Sequence, residues 1–179
     1  MLKKTLQKGL SLSLSKGFTL IELLIVIAVL GVLATIVLVA IDPLEQLSRG
    51  TDAGQKTKIA SMGHALQSYY TTQNAVYPTE NATWQTTLVS AGELKQAVSG
   101  DVAIACSGGT EQNDICYDYD GTDSAVWLTL KSKAEKGKCP APATDTAYFV
   151  WTSVDSRAGT LCFASGQPVA GTSYAASFK

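Results

Sequence analysis

The chain has 179 residues, of which 46% are hydrophobic and only 16% charged, below the roughly 25% charged residues of an average soluble domain. Its length allows one domain, or one domain with an appendage, and its formal net charge of −1 hides a split. Residues 1–17 hold Lys3, Lys4, Lys8 and Lys16 and no acid, leaving ten basic against fifteen acidic residues in the remainder. An acidic remainder excludes general nucleic-acid binding by phosphate neutralisation.

After that basic, Leu/Ser-rich head, Phe18 to Ile41 reads FTLIELLIVIAVLGVLATIVLVAI. As a helix these residues would span roughly 36 Å, enough to cross a hydrocarbon core of about 30 Å. The run is too long for the apolar core of a cleavable secretory signal, and no A-x-A pattern closes it. Lysines precede it and Asp42 and Glu45 follow, so flanking charge places the N-terminus in the cytoplasm and exports the rest. Glu22 is the single charge inside the run. A carboxylate there costs about 2.5–3.5 kcal/mol on insertion scales and marks a functional candidate. Either it reaches the headgroup region, or it needs a cation from a partner, since no basic residue follows before Arg49.

Lys16-Gly17-Phe18-Thr19-Leu20-Ile21-Glu22 at the head of an apolar helix resembles the class III signal of type IV pilins and pseudopilins. The resemblance implies that a membrane prepilin peptidase cuts after Gly17 and methylates the new amine of Phe18. It also implies that Glu22 pairs with the Phe18 ammonium of a neighbouring subunit. Elementary electrostatics agrees with that pairing. Cleavage creates a cation at the depth of the carboxylate, and joining the two relieves two desolvation penalties and fixes the axial stagger between copies. A glycine before the cut lets catalytic groups approach the backbone.

Asp42-Pro43 should weaken or bend the helix, with Gly31 a second soft point. From Leu44 to about Tyr70 the pattern turns amphipathic: Leu44, Leu47, Ile59, Met62, Leu66 and Tyr69 or Tyr70 recur at spacings near three and four. Arg49, Asp52, Gln55, Lys56 and Lys58 are expected on a solvated face. Gly50, Gly54 and Gly63 weaken this helix, which should stop within residues 71–75. Residues 79–100 read as a linker with a short helix over Trp84–Ala91 and a further turn over Glu93–Val98. Strands are expected at Val102–Cys106, Ile115–Tyr119, Ala125–Lys131, Ala147–Ser153 and Thr160–Ala164. Asp120–Asp123 and Ser156–Gly159 read as hairpin turns. The expected fold is α+β, with an antiparallel sheet packed on a long helix.

All four cysteines (Cys106, Cys116, Cys139, Cys162) lie in the part expected to be exported, where an even count reads as disulfides. Of three possible pairings the sequential one, Cys106–Cys116 with Cys139–Cys162, is favoured. Its second loop resembles the disulfide-bounded region near the C-terminus of many pilins. Zinc is disfavoured, with no C-x-x-C and His64 the only histidine; His64 reads as a helix-surface residue. Asp118, Asp120 and Asp123 form a sparse calcium candidate, but no Glu closes the EF-hand spacing and an Asp-rich turn explains them better. Asn81-Ala82-Thr83 fits a glycosylation sequon, a short pattern that arises easily by chance. No catalytic or nucleotide motif is present, and no cofactor is called for.

The chain therefore divides into a basic leader (1–17), a membrane or filament-core helix (18–41), an amphipathic second half (42–75) and a globular head (76–179). The resemblance implies a structural pilus subunit, held in the cytoplasmic membrane and then polymerised with copies of itself into a surface filament. An assembly ATPase and a membrane platform protein would be its machinery partners. A pseudopilin of a type II secretion system or a minor pilin is the nearest alternative. A single-pass anchored binding module or enzyme would leave Lys16-Gly17-Phe18 and Glu22 unexplained.

Overall fold

The computed structural model describes residues 17–101 and 103–179; the leader up to Lys16, and Val102, lie outside the described residues. The chain forms two compact units, one ending at Asp42 and the other Pro43–Lys179.

The first unit is one helix, α1 (Leu20–Ala40). Thr19 caps its start and Ile41 its end. It stops because Asp42 adopts a left-handed φ of 45° directly before Pro43, whose ring disfavours helical backbone in the preceding residue. Thr35 hides its hydroxyl within the apolar run by donating Oγ1–H to the Val32 carbonyl at 2.7 Å.

In the second unit α2 (Pro43–Thr72) opens on proline, whose missing N–H would be unpaired there anyway. Next come α3 (Trp84–Ser90), β1 (Thr110–Gln112), β2 (Ile115–Tyr119), β3 (Ser124–Thr129), α4 (Lys133–Lys136), β4 (Thr146–Thr152) and β5 (Arg157–Phe163). The strands form one antiparallel sheet in the order β1-β2-β3-β4-β5. The fold is α+β.

Both faces of the sheet are covered. Ile59, Met62 and Leu66 of α2 pack with Trp84 and Leu88 of α3 against Tyr117, Val126, Leu128 and Trp151. On the other face, Cys116, Ala125, Trp127, Tyr148, Val150 and Leu161 lie under Tyr174 and Phe178 of the C-terminal segment. Two-sided burial explains why β3 is buried along most of its length instead of alternating. Gly63 brings α2 close to the sheet: a Cβ there would overlap the indole ring of Trp151.

Four sequence expectations are corrected here. Ala103–Cys106 form no strand; Cys106 is fixed by its bond to Cys116, and the edge strand is the three-residue β1. Ser156–Gly159 is not the hairpin turn. The chain reverses at residues 153–156, and Gly159 lies within β5 because the Phe178 ring sits where its Cβ would be. Glu93–Val98 has no helical turn, whereas α4, capped by Ser132, is an unforeseen one.

The fourth correction concerns the α2 face. Leu44 and Leu47 are 75% and 69% exposed, while Asp52 and Gln55 are buried. Carboxylates, not leucines, fasten the first half of α2 to the head. Asp52 accepts from the backbone N–H groups of Lys131 and Ser132, both at 2.9 Å. Glu45 accepts from those of Lys133 at 2.9 Å and Ala134 at 3.1 Å, as well as from Arg49 Nε. Four consecutive backbone donors thus go to two side chains two helical turns apart. Nearby, Glu135 accepts from Lys56 at 2.7 Å and from Lys138 at 2.9 Å.

Replacing Gly63 by alanine is expected to lower head stability by about 1–3 kcal/mol through overpacking, read as a reduced melting temperature of the detergent-solubilised chain. A wild-type melting temperature for Gly63→Ala would show that the Trp151 ring has room to move.

Acid should also loosen the attachment of α2. The Lys133 N–H, followed by Arg49, holds the Glu45 carboxyl below its ordinary value. Burial pushes Glu135 up, but the Lys56 and Lys138 ammonium groups outweigh it and leave that carboxyl lowered as well. A lowered folded-state value gives stability that is present above the unfolded value, about pH 4.3 for Glu, and lost as pH falls through the folded one. Melting temperature should therefore drop on titration from pH 5 to about 3, and Glu45→Gln should shallow that slope. Equal slopes for both proteins would remove Glu45 from this account.

Candidate functional site

The head of α1 is built by three residues. Thr19 has extended backbone angles and its Oγ1 accepts from the Glu22 N–H at 3.2 Å. Glu22 reaches back, its Oε2 accepting from the Thr19 N–H at 3.0 Å and the Thr19 hydroxyl at 2.9 Å. This reciprocal capping box satisfies donors at the helix start that have no intrahelical partner. It also gives Glu22 a fixed direction. No basic side chain among the described residues pairs with it. Oε2 is occupied by Thr19, and the carboxylate keeps acceptor capacity for a further donor.

Beyond that cap, no residue of α1 is buried by its own chain, and the helix is long and apolar enough to cross a membrane. A helix that is apolar all round must be buried by something, either lipid or protein. Phe18, which precedes it, is 78% exposed, and a Cβ at Gly17 would meet open space. The junction between Gly17 and Phe18 is therefore sterically open on the described side, while Lys16 lies outside the described residues. Sequence reasoning missed Thr19. Its signal was a threonine three residues before a glutamate at the start of an apolar run, the signature of a capping box.

The remaining singled-out residues serve the head. Cys106–Cys116 and Cys139–Cys162 are bonded, with Cα–Cα separations of 5.6 and 5.5 Å. The first ties the segment before β1 to β2, the second the chain after α4 to β5. Asp118, Asp120 and Asp123 each turn to a different partner. Asp118 accepts from the Ala170 N–H and burial pushes its carboxyl up. Asp120 accepts from the N–H groups of Thr122 and Asp123, and Asp123 accepts from the Ser153 hydroxyl. Among the described residues no group of three or more acidic, His or Cys side chains is placed to hold a metal ion. His64 is exposed on α2. Asn81 Oδ1 accepts from the N–H and hydroxyl of Thr83, a local turn.

Residues 12–38 match the prokaryotic N-terminal methylation motif. The chain is similar to the fimbrial protein EcpC of Eikenella corrodens, 32% identical over 122 residues that cover 65% of this chain and 63% of that protein. It is also similar to the type IV major pilin protein PilE of Neisseria gonorrhoeae, 26% identical over 143 residues, 75% of this chain and 80% of that one. The chain thus spans less than two thirds of the EcpC protein's length. No solved structure matches it. The chain thus carries the N-terminal methylation motif and is similar to fimbrial and type IV pilin proteins, and its α+β arrangement is pilin-like.

Proposed function

We propose that this pilin-like chain is a structural subunit of a type IV pilus, cut after Gly17 by a prepilin peptidase and methylated on Phe18. One observation carries the reading: α1 is apolar on every side, unburied by its own chain, and headed by a carboxylate whose only partner among the described residues is Thr19. In the precursor, lipid covers α1, with the N-terminus cytoplasmic as the lysine-rich leader favours. In the filament, copies of α1 cover one another. Moving a helix from lipid to protein removes no water from its side chains, so packing and polar contacts must favour assembly.

Glu22 supplies the polar contact by accepting from the Phe18 ammonium of the next copy. A repeated contact between two different patches does not close into a ring unless its rotation does, and otherwise builds a fibre. An assembly ATPase and a membrane platform protein would drive extraction, since the sequence carries no nucleotide motif. The role is structural, not catalytic. Relatives described as fimbrial and as a major pilin favour a pilus subunit over a pseudopilin or minor pilin. Abundance in sheared surface fibres separates them: a major pilin dominates such fibres.

Two measurements test the reading. Intact-mass analysis of the native protein should find a chain beginning at methylated Phe18, seventeen residues short of the full sequence, and Gly17→Val should retain the leader. Glu22→Ala should insert normally yet lose most fibre, because the unpaired Phe18 ammonium costs about 3–5 kcal/mol per contact. Normal fibre yield from Glu22→Ala would overturn the pairing, and an uncut native N-terminus would overturn the pilus assignment.

A further inference from the structure

The second unit carries a cleft of about 350 Å³. Gln67 and Tyr70 near the end of α2, Tyr77 after it, Asp123 of the β2–β3 turn, and Ser153 and Ser156 of the β4–β5 turn line it. That volume lies at the small end of ligand sites. Each of these side chains carries a hydrogen-bonding group, and Asp123 is the only charge in the lining.

The floor is organised before any ligand arrives. Ser153 Oγ donates to Asp123 Oδ1 at 2.7 Å and accepts from the Ser124 N–H at 2.9 Å. Ser153 N–H donates to the Ser124 carbonyl, and Ser156 Oγ donates to the Ser153 carbonyl at 3.1 Å. Beside this network the Ser124 hydroxyl is fully buried. The rings of Tyr70 and Tyr77 stack at 4.6 Å and give the wall an aromatic part.

Chemistry narrows the ligand. With one carboxylate and no lysine, arginine or histidine in the lining, a phosphate, sulfate or carboxylate ligand meets only like charge. A divalent cation finds one carboxylate where it wants several hard oxygens. A purely apolar ligand would strip water from a carboxylate, an amide and several hydroxyls without replacing their hydrogen bonds. A neutral pyranose meets every requirement. Its hydroxyls can donate to the Asp123 carboxylate in charge-assisted bonds and exchange bonds with the Gln67 amide, which both donates and accepts.

We infer that this cleft binds a neutral hexopyranose, either free or as the terminal unit of a glycan. The inference does not depend on fibre formation. Saturation-transfer NMR on the detergent-solubilised full chain tests it with glucose, galactose, mannose and N-acetylglucosamine as probes, and glucuronate as the charged control. At least one neutral sugar should show saturable transfer in the millimolar range, with glucuronate giving none. Asp123→Asn and Gln67→Ala, each first shown to melt as wild type does, should weaken it by about tenfold or more. Immobilised glycans ending in the responsive sugar then distinguish the sources: retention indicates a glycan terminus, and binding of the free sugar alone a small-molecule ligand. Absence of transfer from all four neutral sugars would overturn the inference, as would transfer unchanged in a folded Gln67→Ala.

Discussion

An apolar helix that its own chain leaves uncovered is the constraint from which the rest follows. Twenty-one residues of α1, roughly 32 Å long, have no buried position, and water is a poor surrounding for any side of them. Such an element is stable only in lipid or among other helices. Each alternative makes a demand on Glu22, since a carboxylate in an apolar setting must find donors. Thr19 supplies two of them within the chain, and the acceptor capacity that remains is the part of the helix head able to recognise another molecule.

The second unit solves a different problem. Its long helix α2 is weakened by Gly50, Gly54 and Gly63 and begins with exposed leucines, so hydrophobic packing holds only its second half. The first half is tied down by Asp52 and Glu45, which together take four successive backbone N–H groups from residues 131–134. The same segment gains its cap from Ser132 and its ion pairs through Glu135. Two disulfides then join irregular segments to β2 and β5, each closing a short loop, a constraint worth about 3 kcal/mol in the chain-entropy account. The head thus gains rigidity from polar grip and cross-links where apolar packing does not reach.

How much of this was legible in the sequence depends on whether the signal was local. The apolar run of α1 and the β-branched and aromatic runs of β2 and β4 are local patterns, and all three elements fall close to where the sequence places them. The exposed Leu44 and Leu47 and the buried Asp52 and Gln55 were not legible, because helical periodicity ranks residues by polarity while burial is decided by what faces them. Here the facing segment offers backbone N–H groups, and a carboxylate suits those better than leucine. Gly159 misled in the same way. Glycine usually marks a turn, but at Gly159 it makes room for Phe178, nineteen residues further along the chain. The pair Thr19 and Glu22 was readable in principle, yet Glu22 draws attention as a stray charge before it is recognised as half of a cap.

That double identity bears on the proposed filament. If Glu22 had to give up its cap in order to meet the Phe18 ammonium of a neighbour, assembly would lose two hydrogen bonds for each contact formed. The geometry avoids the exchange. Both Thr19 bonds fall on Oε2, and an ionised carboxylate has about four acceptor sites over two oxygens. Oε1 can therefore take the ammonium while the cap stays intact. The cap then adds to the contact by removing rotamers that a free glutamate would have to surrender on pairing. It also holds the carboxylate at the positive end of the helix dipole, where negative charge is favoured. In this reading Thr19 lowers the cost of assembly without touching the partner, and the helix head is prepared for its neighbour before the neighbour arrives.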